Sequence, residues 1–221
     1  MPSTACGPEL HVLDIACGTG LVSSELVARH ARVTGIDASE PMLGAARRRV
    51  LEATFVHGDA EELPFPNDSF DAATSAQAYH WLDAERALRE TMRVVRPGGM
   101  VAIWWKELLR GDAARLFREE AAREAGMEHA PRPMNVLGDF HAFDGSALVD
   151  QRLRVIPWAV DTTVGEFLGY ERSRAWSIED RGPRLDAYLE GLARMLGAPD
   201  TPLSLAYVHL LYLGRVSAGR S

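Results

Sequence analysis

The chain of 221 residues is 47% apolar and 25% charged, which predicts one domain that buries roughly 70% of its unfolded surface. Its 24 basic residues are all arginine except Lys106, so no Gly-Lys pair exists to hold nucleotide phosphates, and Schiff-base chemistry has one candidate position. Walker-type ATPases, GTPases and kinases are thereby excluded, and a net charge of -7 disfavours nucleic acid and anionic membrane surfaces as partners.

Cys6 and Cys17 have no second cysteine or histidine at metal-ligand spacing, so both are read as free thiols in a reducing compartment, with no metal site. The uncharged stretch Thr201–Gly214 is shorter than the roughly 18 to 20 residues of a membrane helix. The first residues lack a basic segment followed by an apolar one, and a cytoplasmic location is expected.

From Leu10 onward, short β-branched runs alternate with longer helical patterns, which predicts an α/β fold with a parallel sheet and helices on both faces. Leu10–Ile15 reads as a strand, followed by glycines at 18 and 20 and a helix from Leu21 to His30. A second strand, Arg32–Ile36, ends at Asp37. Ser39 then caps a helix that has Pro41 in its first turn and extends to Val50. The run Arg47-Arg48-Arg49 complements the dipole at that helix end. Thr54–His57 is a third strand, and turn chemistry over Pro64–Asp71 leads to a fourth at Asp71–Ser75. Asp83 caps a helix to Val95 that Pro97-Gly98-Gly99 stops, and a fifth strand follows over Met100–Trp105. Later elements are helices at Ala113–Ala125, Val164–Tyr170 and Arg184–Leu196, and strands at Gln151–Trp158 and Leu203–Leu213.

The strongest chemical signal is Asp14-Ile15-Ala16-Cys17-Gly18-Thr19-Gly20. A buried strand delivers the chain to a turn whose small residues let a ligand approach the backbone, and the following helix presents N–H groups. A dinucleotide fingerprint would place its third glycine where Ser23 stands, which weakens a nicotinamide reading without removing it. Asp37, at the end of the second strand, is placed to grip ribose hydroxyls under either reading.

Together these motifs resemble the class I S-adenosylmethionine-dependent methyltransferases. Asp14-x-Ala16-x-Gly18-x-Gly20 is similar to the first motif of that family, and Gly58-Asp59-Ala60 to its adenine-binding turn. Leu63–Asp71 resembles the approach to its fourth strand, and Arg93–Gly99 its post-helix turn, so the likeness spans Leu10–Trp105 in order. It implies a Rossmann-like, seven-stranded, mostly parallel sheet with an antiparallel last strand. It further implies one methyltransferase domain over 1–221, with a cofactor-binding half at 10–105, a variable substrate-side half at 106–203 and a closing strand at 204–215. In the implied site, Ala16, Gly18 and Gly20 pack against the methionine part of the cofactor and Asp14 orients its amino group. Asp37 and Ala38 hold the ribose, Met42 packs on the adenine, and Gly58, Asp59 and Ala60 read its polar edge. Ala76 and Gln77 line the methyl-transfer side.

The segment Gln77–Asp83 resembles the His-Trp-Phe/Leu-Asp signature of small-molecule methyltransferases that act on trans-aconitate and related acids. This resemblance implies a small-molecule acceptor such as a carboxylic acid, and Ser173–Ser177 resembles a later landmark of the group, with Trp176 and with Arg174 or Arg172 to pair with a substrate carboxylate. Tyr79, Trp81 and Trp105 are aromatic candidates for the substrate pocket. A carboxylate acceptor needs no base. For a hydroxyl, amine or carbon acid, His80 is the natural base, and its bland alternative is a bond to the following helix. Members of this group carry a helical lid before the first strand, whereas only Met1–Glu9 precede it here. A truncated or misassigned start, a lid from 127–143 or from a partner subunit, or a weaker open site is expected. An NAD(P)-dependent oxidoreductase and a lid-less, non-catalytic S-adenosylmethionine-binding protein stand as alternative readings.

Overall fold

The computed structural model describes residues 10–109, 112–127, 143, 146–173 and 182–219. The strands are β1 (His11–Ile15), β2 (Arg32–Asp37), β3 (Thr54–His57), β4 (Phe70–Ala76), β5 (Val95–Leu108), β6 (Leu148–Thr163) and β7 (Pro202–Val216). The helices are α1 (Leu21–Val27), α2 (Glu40–Arg49), α3 (Ala84–Val94), α4 (Ala113–Glu124), α5 (Val164–Ser173) and α6 (Pro183–Leu196), with a 3₁₀ turn at Tyr79–Trp81.

The strands form a seven-stranded sheet in the order β3-β2-β1-β4-β5-β7-β6. β1 pairs in parallel with β2 on one side and β4 on the other, and β2–β3 and β4–β5 are also parallel. The β5/β7/β6 portion is antiparallel. After β3 the chain returns across β1 to begin β4, which makes the β1/β4 boundary a topological switch point. The carboxyl ends of β1 through β4 therefore lie along one edge. A sheet covered on both faces selects near-continuous apolar strands, and β1 is buried from Val12 to Ile15 with Asp14 its one charged member.

Several expected boundaries shift for identifiable reasons. The first helix ends at Val27 and not at His30, because the Ala31 N–H turns back to the Leu26 carbonyl and the Arg32 N–H pairs with Leu10 to open β2. β5 begins at Val95, directly after α3, and Pro97-Gly98-Gly99 lies inside it. The ladder pairs Phe70 with Val95 and next Ala72 with Met100, so residues 96–99 bulge opposite Asp71 alone. Gly99 is required there: a β-carbon on it would sit 2.6 Å from the Asp71 carbonyl oxygen and 2.5 Å from Val95 Cγ1. Asp71 fastens the bulge by pairing with Arg96 at 2.8 Å while accepting the His11 N–H at 2.7 Å.

The guanidinium of Arg93 explains why the two motifs around this bulge occur together. It donates to the carbonyls of Leu63 and Phe65, to Asn67 Oδ1 and to Glu90, knitting the approach to β4 onto the end of α3. Asp83 caps α3 as its position predicts, with Oδ1 accepting the Arg86 N–H at 3.1 Å.

β6 runs from Leu148 to Thr163, well beyond the expected Gln151–Trp158. As an edge strand it is exposed on both faces from Val149 to Pro157, so no period-two pattern marks its ends. Arg152, Arg154 and Pro157 blunt this edge against pairing with another chain.

The described residues divide into two compact units. One holds 10–105, 143, 146–154 and 210–219; the other holds 106–109, 112–127, 155–173 and 182–209. Within the second unit, Ala121, Ala122, Met127, Leu185, Tyr188, Leu189 and Leu192 form a helical core. A buried ion pair lies in this unit, with Arg118 Nε 3.0 Å from Glu171 Oε2, which also accepts the Tyr188 hydroxyl at 2.7 Å. The ammonium of Lys106, the one lysine, lies over the rings of Tyr170 and Tyr207 at 4.3 and 4.9 Å. Among the described residues no helix is long and apolar enough to cross a membrane.

Gly99→Ala is expected to lower stability by about 2 kcal/mol or more, because the Asp71 and Arg96 carbonyl oxygens it would meet are backbone and cannot turn aside. Gly98→Ala, with open space around it but φ of +79°, is expected to cost only about 1 kcal/mol. Urea unfolding midpoints of the two variants measure the difference.

Candidate functional site

The turn after β1 gathers three left-handed residues within five positions. Ala16, Gly18 and Gly20 all have positive φ, at 52°, 55° and 77°. Ala16 is the strained member, since a β-carbon disfavours this region. The two glycines have different reasons to be glycine. A β-carbon on Gly20 would crowd Ala46 at 3.1 Å and Phe55 at 3.4 Å, so Gly20 lets the turn meet α2 and β3. A β-carbon on Gly18 would meet nothing within 4 Å, so its backbone faces open space.

Asp14 lies beneath this turn, buried on β1 between Gly35 of β2 and Thr74 of β4. Its Oδ2 accepts the Ser23 hydroxyl at 2.6 Å. Burial pushes the Asp14 carboxyl up to about 6, and bonds from the Ser23 side chain and backbone oppose that rise. Asp14 thereby takes up a donor from the first turn of α1, whose N-cap Gly20 has no side chain to do so. Burial, with Asp14 and Asp37 nearby, also pushes the Cys17 thiol up, which keeps it a protonated, unreactive group.

At the end of β2, both oxygens of Asp37 are fixed by backbone. Oδ2 accepts the Gly18 N–H and Oδ1 accepts the Ser39 N–H, each at 2.8 Å. A carboxylate oxygen has two lone pairs, so each can still accept a second donor. The Asp37 carbonyl takes the Gly58 N–H at 3.1 Å, bringing the turn after β3 alongside. In that turn Asp59 Oδ1 accepts the Glu61 N–H at 2.8 Å, while Asp59 is exposed and Ala60 buried. His57 Nε2 lies 3.0 Å from the Ala38 carbonyl oxygen, and Met42 is half-buried in the first turn of α2. At the end of β4, Ala76 is half-buried and Gln77 is exposed with φ of 58°, its N–H donating to the Trp104 carbonyl at 2.9 Å. The residues expected at a cofactor thus lie at the carboxyl ends of four neighbouring parallel strands or in the turns that follow them, apart from Met42 in the first turn of α2.

Residues 13–103 match the family model of a methyltransferase domain. The similarity to methyltransferase domains is carried by this stretch. The chain is 44% identical over 96 residues to a demethylmenaquinone methyltransferase of Clavibacter sepedonicus, a match covering 42% of this chain and 39% of that relative. The chain therefore spans about two fifths of the length of the curated relatives it matches. Its fold is similar to that of the YcgJ protein from Bacillus subtilis, with a TM-score of 0.61 at 23% identity, covering 97% of this chain and 95% of that one. It is also similar to phosphoethanolamine N-methyltransferase 2 of Haemonchus contortus, solved with phosphomonomethylethanolamine and S-adenosylhomocysteine. That TM-score is 0.58 at 19% identity, over 97% of this chain and 50% of the other.

The residues expected to contact an acceptor are distributed less uniformly around the strand ends. Tyr79 is fully buried: its hydroxyl is 3.2 Å from Thr91 Oγ1 and its ring 5.8 Å from Phe143, so it packs the core behind the 3₁₀ turn and offers no surface. Trp105 is likewise fully buried, because its position on β5 alternates inward with Val101 and Ile103. Both therefore belong to the buried core of the structure. His80 is half-buried and Trp81 is exposed on the same turn, with their rings 4.9 Å apart. Arg174 and Trp176 lie outside the described residues.

Two supporting residues had escaped the motif reading. Ser23 reads from sequence only as a missing glycine, while its partner is Asp14. Glu61 accepts the Asp83 N–H at 2.8 Å and Arg86 Nη1 at 3.0 Å, tying the turn after β3 to the start of α3. The Glu61-to-Arg86 spacing carries no periodic signal that would reveal this.

The raised pKa of Asp14 makes stability fall with pH. A protonated Asp14 favours the folded state fully below about pH 4, and this contribution, on the order of 3 kcal/mol, is lost as pH rises through about 6. Asp14→Asn removes that titration. Thermal unfolding from pH 4 to 8 should show the variant gaining on the wild type as pH increases, whereas parallel profiles would contradict the assignment.

Proposed function

We propose that this protein catalyses S-adenosylmethionine-dependent methyl transfer to a small molecule. The observation that carries the reading is the open space over Gly18 beside Asp37, whose two oxygens are fixed by the Gly18 and Ser39 N–H groups. A cofactor with a ribose diol, an amino group and an adenine needs carboxylates at three separated points. Asp37, Asp14 and Asp59 supply them along the strand ends.

In this reading Asp37 with Ala38 receives the ribose hydroxyls, and Asp14 orients the amino group above Ala16, Gly18 and Gly20. Met42 packs on the adenine, whose edge is read by Gly58, Asp59 and Ala60. The cofactor, when bound, supplies a methyl group activated by its sulfonium. The contribution of the chain is positioning and exclusion of water, with Ala76 and Gln77 bordering the transfer side. The strained φ of Gln77 fixes that border, since its N–H is held by Trp104. A carboxylate acceptor requires no further group, whereas a hydroxyl or amine would lose its proton to His80. The nicotinamide alternative gains no support: the place of the third fingerprint glycine is filled by buried Ser23, whose hydroxyl is committed to Asp14.

Thermal-shift and calorimetric titrations test this reading. S-adenosylhomocysteine should raise the unfolding midpoint while NAD(H) and NADP(H) leave it unchanged. Asp37→Ala and Asp37→Asn should weaken S-adenosylhomocysteine binding by about 10- to 100-fold, as expected for a lost charge-assisted bond. A midpoint raised only by a nicotinamide nucleotide would overturn the proposal.

A further inference from the structure

We infer that Ser23 is a positioning residue for cofactor recognition, fixing the Asp14 carboxylate beneath the glycine turn so that Asp14 can meet an amino group. The inference rests on the reading of Asp14 given above and deepens it.

Three observations converge on Ser23. It is completely buried on α1, where burial of a hydroxyl carries a cost unless a partner is present. Its Oγ finds that partner in Asp14 Oδ2 at 2.6 Å, within the range of a charge-assisted bond. Its own backbone N–H also acts on Asp14, so one residue addresses the carboxylate from two directions.

The groups facing Asp14 explain why such a holder is needed. Asp37, at the end of β2, and Cys17, in the turn, sit close enough to couple with it, and neither carries a positive charge. Gly35 and Thr74, its ladder neighbours, are uncharged. Burial and Asp37 disfavour the ionised carboxylate, and the bonds from Ser23 oppose them. Without the hydroxyl, Asp14 would take up its proton at higher pH and lose its fixed rotamer. An ammonium ligand would then meet a neutral acid.

The test uses Ser23→Ala, with Ser23→Gly as a second hydroxyl-free variant and Ser23→Thr as the conservative rescue. Carbon-13 NMR of the Asp14 carboxyl, recorded without ligand, reads the coupling directly. Calorimetry with S-adenosylhomocysteine from pH 5 to 8 reads recognition. The hydroxyl-free variants should raise the Asp14 midpoint by about one pH unit, and Ser23→Thr should restore it. S-adenosylhomocysteine affinity should then fall about tenfold at pH 5.5 and only slightly at pH 8, since a one-unit rise leaves tenfold less carboxylate below both midpoints. A carboxyl midpoint that ignores the loss of the hydroxyl overturns the inference, and so does a moved midpoint with an unchanged affinity profile. If the midpoint moves but the wild type binds no S-adenosylhomocysteine at any pH, the cofactor reading fails while the Ser23–Asp14 coupling stands.

Discussion

The site depends on the backbone bonds gathered by Asp37. Its two carboxylate oxygens and its carbonyl accept N–H groups from Gly18, Ser39 and Gly58, so one residue joins the turns that follow β1, β2 and β3. Each turn contributes part of the prospective ligand surface, and without a common acceptor they would be three independent loops. The parallel pairing of β1, β2 and β3 brings them close enough for this to happen, because parallel strands end on the same edge.

That arrangement places costs where a ligand would be expected. Asp14 is a carboxylate in a strand that is otherwise apolar, and burial works against its ionisation. Ala16 and Gln77 occupy left-handed backbone without being glycine, one after β1 and the other after β4. Local strain and a buried acid on the two sides of a topological switch point are features a fold tolerates when its surroundings hold them in place. The surroundings are visible here: Ser23 holds Asp14, the Trp104 carbonyl holds Gln77, and the Ser75 hydroxyl bonds the Ile15 carbonyl at 3.0 Å between the two strands.

Much of the first unit was legible in the amino acids. The predicted strand Thr54–His57 matches β3, and Ser39 and Asp83 stand at the N-cap positions of α2 and α3, where the Asp83 side chain accepts a helix N–H and the Ser39 side chain does not. The Asp14–Gly20 motif, Asp37 and Gly58–Ala60 stand out as candidate site residues because each is a short, polar or small interruption in an apolar pattern. The burial of Tyr79 and Trp105 was not legible, because an aromatic beside a motif looks the same in sequence whether it lines a ligand or packs the core. The ends of β6 were also illegible, since a strand exposed on both faces has no alternation to read.

The sequence by itself determined the order of the elements, the methyltransferase motifs and the chemical type of each candidate ligand group, because these follow from local periodicity and from fixed spacings along the chain. Only the tertiary structure decided which polar groups meet. The Ser23–Asp14 bond, the Gly18 and Gly58 N–H groups on Asp37, the Arg93 clasp on Leu63–Asn67 and the Glu61–Arg86 pair connect residues separated by nine to thirty positions at no regular interval. Such contacts depend on how strands register and where helices pack, so neither residue of a pair announces its partner. The same holds for burial: whether a tryptophan or a tyrosine faces a ligand or the core is set by the sheet around it, and not by its neighbours in the chain.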